Sequence, residues 1–86
     1  MLFSFKIKKP NDIDKTLENL KKRVTEYGGK MKGNTEKGAI AYNGVEGKYV
    51  VGETAIVIKI MRKPSFLVPN VLIENEIRNI FNEVKV

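Results

Sequence analysis

Closely spaced turn signals divide the middle of this chain into short segments, and that spacing constrains its fold more than any other feature. Asn34-Thr35, Asn43-Gly44 and Gly52-Glu53 fall between stretches rich in Val, Ile, Tyr and Ala. Asn-Gly is the strongest short-range hairpin signal, because a type I′ turn requires positive φ at both central residues. The spacing predicts strands near Lys30–Gly33, Lys37–Tyr42, Val45–Val51 and Thr54–Arg62, joined as an antiparallel meander. In the last strand Ile56, Ile58 and Ile60 share one face, while Ala55, Val57, Lys59 and Met61 share the other. That second face is more apolar than a fully wet one needs to be. Val57 and Met61 are therefore candidates for contact with a partner subunit or a ligand.

The flanks of the meander are helical. From Ile13 to Tyr27 the apolar positions are Ile13, Leu17, Leu20, Val24 and Tyr27, the spacing of an amphipathic helix with one buried stripe. Asn11 or Asp12 offers an N-cap oxygen, and Gly28-Gly29 supplies a left-handed stop. Glu18 and Lys22 form a favourable i,i+4 pair. Lys63-Pro64 ends the last strand, and Pro69-Asn70 opens a second helix with a core stripe of Ile73, Ile77, Ile80, Phe81 and Val84. Ahead of everything, Leu2–Lys8 alternates, with Phe3, Phe5 and Ile7 opposite Ser4, Lys6 and Lys8, which is the pattern of a half-buried strand.

The expected fold is α+β: a four- to five-stranded antiparallel sheet with two helices on one face, in the order β-α-β-β-β-β-α. A ferredoxin-like split βαβ arrangement fits less well, because the helices bracket the meander instead of alternating with strand pairs. Residues 1–86 make one domain with one modest core. Phe66, Leu67, Val71 and Leu72 add apolar surface beyond what one sheet face and two helix stripes need. Either they seal the end of the core, or they join Val57 and Met61 in a partner surface, for which a symmetric homodimer is the leading expectation.

Chemistry is restricted by what is missing. The chain holds no His, Cys, Trp or Gln, and its only Asp residues are Asp12 and Asp14. His is the usual general base and commonest metal ligand, and Cys supplies thiolate nucleophiles and soft metal sites. No catalytic, cofactor-binding or metal-ligating set is predicted, and the expectation is a non-catalytic protein. Glu46 and Glu53 lie seven apart across a hairpin and read as solvated turn residues. Gly44, Gly47 and Gly52 sit between strands, not between a strand and a helix, so no phosphate-binding glycine loop is present.

The net charge is +6, and thirteen of the sixteen cations are Lys. An excess of this kind steers proteins to nucleic acid or anionic surfaces, although base reading favours Arg. Lys6, Lys8, Lys30, Lys32 and Lys48, with Tyr42 and Tyr49 as stacking platforms, form the candidate nucleic-acid patch. The basic patch requires the strands carrying Lys6 and Lys30 to be neighbours. Against it, Lys on edge strands resists aggregation, and Tyr is common inside sheets. Nucleic acid is accordingly the second expectation, behind an apolar ligand or a protein partner. The absence of cysteine, of a signal-like block and of long apolar runs points to a cytoplasmic protein without membrane insertion. The Lys, Glu and Ile bias matches a trend of hyperthermophile proteins, and an AT-rich genome gives a similar one.

A resemblance adds a separate expectation. The stretch Lys32-Gly33-Asn34, then Gly44-Val45-Glu46-Gly47-Lys48-Tyr49-Val50-Val51, then Ala55-Ile56-Val57-Ile58-Lys59-Ile60 and Lys63-Pro64 resembles the polyhydroxyalkanoic acid system (granule-region) family. It covers roughly Ile13 to Phe81, with Met31 where the family carries an aromatic residue. The resemblance implies a non-catalytic protein at an apolar polymer or ligand surface, and it transfers no functional residue.

Overall fold

Each segment set off by a turn signal adopts the element its hydrophobic period requires. The computed structural model describes residues Met1–Val86. Strand β1 (Phe3–Lys8) leads into α1 (Ile13–Glu26), followed by β2 (Lys30–Gly33), β3 (Lys37–Tyr42), β4 (Val45–Val51), β5 (Ala55–Arg62) and α2 (Asn70–Val84). The five strands form one antiparallel sheet in the order β1-β5-β4-β3-β2. This is the α+β arrangement, with the element order that the sequence predicts.

Local chemistry sets the element ends. The Asp12 carboxylate accepts from the Lys15 backbone N–H at 3.0 Å and caps α1. Beyond the helix, Gly28 takes φ +79°, the left-handed conformation that stops it. Asn43 at φ 46° and Gly44 at φ 81° give the β3–β4 hairpin positive φ at both central positions. At the β2–β3 turn, the Asn34 side-chain oxygen accepts from the backbone N–H groups of Glu36 (2.8 Å) and Lys37 (3.0 Å).

The helix-covered face of the sheet carries the core. Phe5, Met31, Tyr49, Ile56, Ile58 and Ile60 pack against Leu17, Leu20 and Val24 of α1 and against Ile73, Ile77, Ile80 and Phe81 of α2. Tyr49 is almost wholly buried, and its ring fits a slot made by two glycines. A Cβ at Gly38 would fall 2.4 Å from the ring, and one at Gly33 would fall 2.8 Å from the phenol oxygen. The phenol donates to the Asn34 carbonyl at 2.8 Å. The helices are joined to each other as well: Arg23 pairs with Glu83, and the Asn19 amide donates to the Val84 carbonyl.

Three expectations are corrected here. Tyr42 and Tyr49 lie inside the core and offer no exposed stacking surface. The strands bearing Lys6 and Lys30 are not neighbours but the two opposite edges, since the β1–α1–β2 connection carries the chain across the whole sheet. Of the two alternatives for the apolar connector, sealing the core does not hold for Phe66 and Leu67, which remain 86% and 76% exposed while the neighbouring Val68 packs against the core.

Candidate anion-binding face of the sheet

Period-2 alternation sends every second strand residue to the face opposite the helices. There the antiparallel register sets side chains in rows that run across the strands. One row reads Lys32–Ala39–Lys48–Lys59–Ser4, from β2 to β1. The next reads Lys37–Val50–Val57–Lys6, and beyond it Lys8 lies opposite Ala55. At the other end of the sheet lies the row Lys30–Ala41–Glu46–Arg62. A register shift at Glu46/Gly47 leaves Met61 as the extra residue beside this row.

Seven lysines therefore share one open face: Lys6, Lys8, Lys30, Lys32, Lys37, Lys48 and Lys59. None is in an ion pair; the pairs of this protein lie on the helices, apart from Glu46 with Arg62 at 3.2 Å. Lys48 and Lys59 stand directly opposite each other on adjacent strands, an arrangement that opposes folding. Edge protection accounts for Lys6, Lys8, Lys30 and Lys32, which lie on the two edge strands. It does not account for Lys37, Lys48 and Lys59, which lie on the three interior strands.

The charge of the whole molecule is sorted by layer. The open face holds its seven lysines and Arg62 against one carboxylate, Glu46. The two helices and their caps hold six cations against seven carboxylates. In the connecting segments Lys9 and Lys63 are balanced by Glu36 and Glu53. The full excess of +6 thus resides on the sheet side of the molecule.

Small side chains on β3 shape this face. Ala39 and Ala41 form part of an open concavity of about 380 Å³ that is rimmed by Lys30, Lys32 and Lys48 and reached by Met61. Val57, in the centre, is half-buried. Glu46 and Glu53 do not converge: Glu46 is held by Arg62, and Glu53 occupies the turn at the far end of β4. No three carboxylates gather closely enough to hold a metal ion.

Of the residues predicted for a basic patch, Lys6, Lys8, Lys30, Lys32 and Lys48 share the open face, whereas Tyr42 and Tyr49 point the other way. Burial raises the phenol pKa of both tyrosines, aided at Tyr42 by the nearby Glu76 charge, and holds them neutral. Sequence reasoning missed Lys59 as a patch member. A two-residue turn at Gly52-Glu53 would set Val57 opposite Lys48; the observed pairing of Val51 with Ile56 shifts the register by two and brings Lys59 there.

The residues predicted for a partner surface are divided. Val57 and Met61 lie on the open face, while Phe66, Leu67, Val71 and Leu72 stand off the end of the sheet, all more than half exposed. The loop carrying Phe66 and Leu67 is tied by the Lys63 ammonium, which donates to the Val68 carbonyl (2.9 Å) and to the Asn70 side chain (3.0 Å). No helix is long and apolar enough to cross a membrane.

No protein-family model matches the chain, and searches of curated proteins and of solved structures return no match.

Proposed function

We propose that this protein is a non-catalytic binding module whose open sheet face holds the phosphate backbone of a nucleic acid. The observation that supports the reading is the sorting of charge by layer, with the whole +6 excess on the sheet side. Lysines on interior strands, opposite one another and without carboxylates, cost stability in the free protein. A polyanion relieves that cost by taking the place of the missing counter-charges. A nucleic acid of the cytoplasm, where a cysteine-free chain is at home, fits such a surface.

Fluorescence anisotropy with a labelled nucleic acid tests the reading. Affinity should fall by at least about 100-fold between 50 and 200 mM salt, because each neutralised phosphate releases counterions. Lys32→Glu and Lys48→Glu, both at exposed positions, should each weaken binding without loss of stability, Lys48→Glu raising the melting temperature slightly by removing the repulsion from Lys59. Binding that is indifferent to salt and to both substitutions refutes it.

A second reading rests on the exposure of Phe66 and Leu67 in a loop pinned by Lys63. We propose that this end of the molecule pairs with a second copy, enlarging the buried apolar surface of a small chain. Sedimentation at tens of micromolar should report twice the 9.8 kDa chain mass. Leu67→Ser should return it to the monomer; a wild-type monomer refutes the pairing.

A further inference from the structure

We infer that the partner of the open face is a duplex, held by its backbones without reading of base sequence. This inference rests on the nucleic-acid reading above, and three features of the face carry it.

Single-stranded sites combine a charged groove that follows one backbone with aromatic platforms on which unpaired bases stack. The open face has no aromatic residue. Phe3, Phe5, Tyr42 and Tyr49 belong to the opposite, helix-covered face of the sheet. Phe81 is buried on α2, Tyr27 ends α1, and Phe66 stands in the connector. Unstacked bases would meet only lysine stems, alanine methyls and Val50, Val57 and Met61.

Base sequence is read by groups that grip two atoms at once, chiefly Arg on guanine and Asn or Gln on adenine. The face carries no Asn, and the chain has no Gln. Its one Arg, Arg62, lies at the end of β5 and is engaged by Glu46 at 3.2 Å. All the free cations there are lysines, which act as point charges on flexible stems. They suit phosphates in any sequence.

The lysines are spread over an area and do not follow a line. The row Lys32–Lys48–Lys59 spans three strand intervals, about 14 Å at ordinary strand spacing. The row containing Lys37 and Lys6 spans the same distance, offset along the strands. A stiff rod bearing phosphates on two backbones can engage both rows, whereas one flexible strand occupies a line. The duplex also carries one charge per about 1.7 Å of axis against about 3.4 Å for a single strand. A face that acts by charge alone therefore prefers the denser polyanion.

The test uses the full chain and three fluorescent probes of about 20 nucleotides: a duplex, one of its separated strands, and a second duplex of opposite base composition. Titrations at about 50 mM salt should give at least about 10-fold tighter binding to the duplex than to the strand, reflecting its charge density. The two duplexes should agree within about two-fold, and the duplex salt slope should be near −0.9 per lysine engaged, about −4 to −6 in all. Lys48→Glu should weaken both duplexes equally. Because a reversed charge also acts at a distance, Lys48→Ala is the companion variant, expected to lower the slope by about one. Single-strand binding as tight as duplex binding, or a clear preference between the duplexes, overturns this inference and leaves the nucleic-acid reading standing. No binding to any probe, including the case in which vesicles rich in phosphatidylserine bind instead, overturns both.

Discussion

Two buried tyrosines give a test of the core with its own internal control. Tyr49 and Tyr42 occupy the same face of the sheet, are 2% and 6% exposed, and would lose the same single oxygen on replacement by Phe. Their hydroxyls differ in one respect. The Tyr49 hydroxyl donates to the Asn34 carbonyl at 2.8 Å, whereas the Tyr42 hydroxyl, though the Glu76 carboxylate is nearby, reaches no partner within hydrogen-bond distance. A satisfied hydrogen bond contributes about 0.5–1.5 kcal/mol net, while a buried polar group without a partner costs about 1–3 kcal/mol in lost hydration. Tyr49→Phe should therefore destabilise by about 1 kcal/mol, and somewhat more where the Asn34 carbonyl stays dry. Tyr42→Phe should be neutral or stabilising by up to about 1 kcal/mol, the small void left by the oxygen offsetting part of the gain. Urea melts followed by circular dichroism measure both, and in thermal melts of a domain this size each 1 kcal/mol corresponds to about 4–8 °C. Equal losses in the two variants would show that Tyr42 does have a partner in solution and that the two sites are not distinguished as described.

Further outcomes follow from the same packing. Ile58→Ala, at the centre of the core on β5, should cost about 2–5 kcal/mol by leaving a cavity under both helices. Gly38→Ala should cost at least about 1–3 kcal/mol in urea melts, since its methyl would fall 2.4 Å from both the Lys32 carbonyl oxygen and the Tyr49 ring. Stability should also fall in alkali. Tyr42 and Tyr49 have folded pKa values raised above the ordinary 10.0, so their contribution is complete below pH 10 and is lost as the pH climbs towards the folded values. Melts between about pH 9 and 12 should show this decline, shallower in Tyr42→Phe, because the unfolded tyrosines release their protons first.

The sequence was most legible where local signals agree. Helix α1 is specified by apolar period, the Asp12 cap and the Gly28 stop together, and the β3–β4 hairpin by Asn43-Gly44, so their boundaries are readable to within a residue. The facing of Tyr49 was equally available: alternation with Val45, Gly47 and Val51 puts it on the core side, which decides between the packed pair and the stacking platform that residue type alone leaves open. What the chain does not display locally is strand order. Lys6 and Lys30 precede and follow the same helix, and nothing near either decides whether that helix returns to a neighbouring strand or crosses the sheet. The answer depends on β5 taking the place beside β1, a pairing between residues 47 to 57 positions apart. The lysine rows, which exist only once the order is set, were legible as a surplus of charge and not as a surface. The exposure of Phe66 and Leu67 was hidden for a related reason, since an apolar connector looks the same in sequence whether it folds under the sheet or away from it.

Sorting charge by layer gives this molecule one strongly basic face and a nearly neutral back. The shortest extent of the fold is 20 Å, and the Debye length at physiological ionic strength is about 8 Å. A polyanion that meets the lysine face in the cell is thus screened from the carboxylates on the helices behind it, and the face acts alone. In dilute buffer, where the screening length grows to about 30 Å, both layers are felt at once. The molecule then turns before it touches, presenting its lysines to negative surfaces. Low salt should consequently raise the rate of encounter with a polyanion by orientation as well as by attraction, while the +6 charge of each copy keeps copies apart.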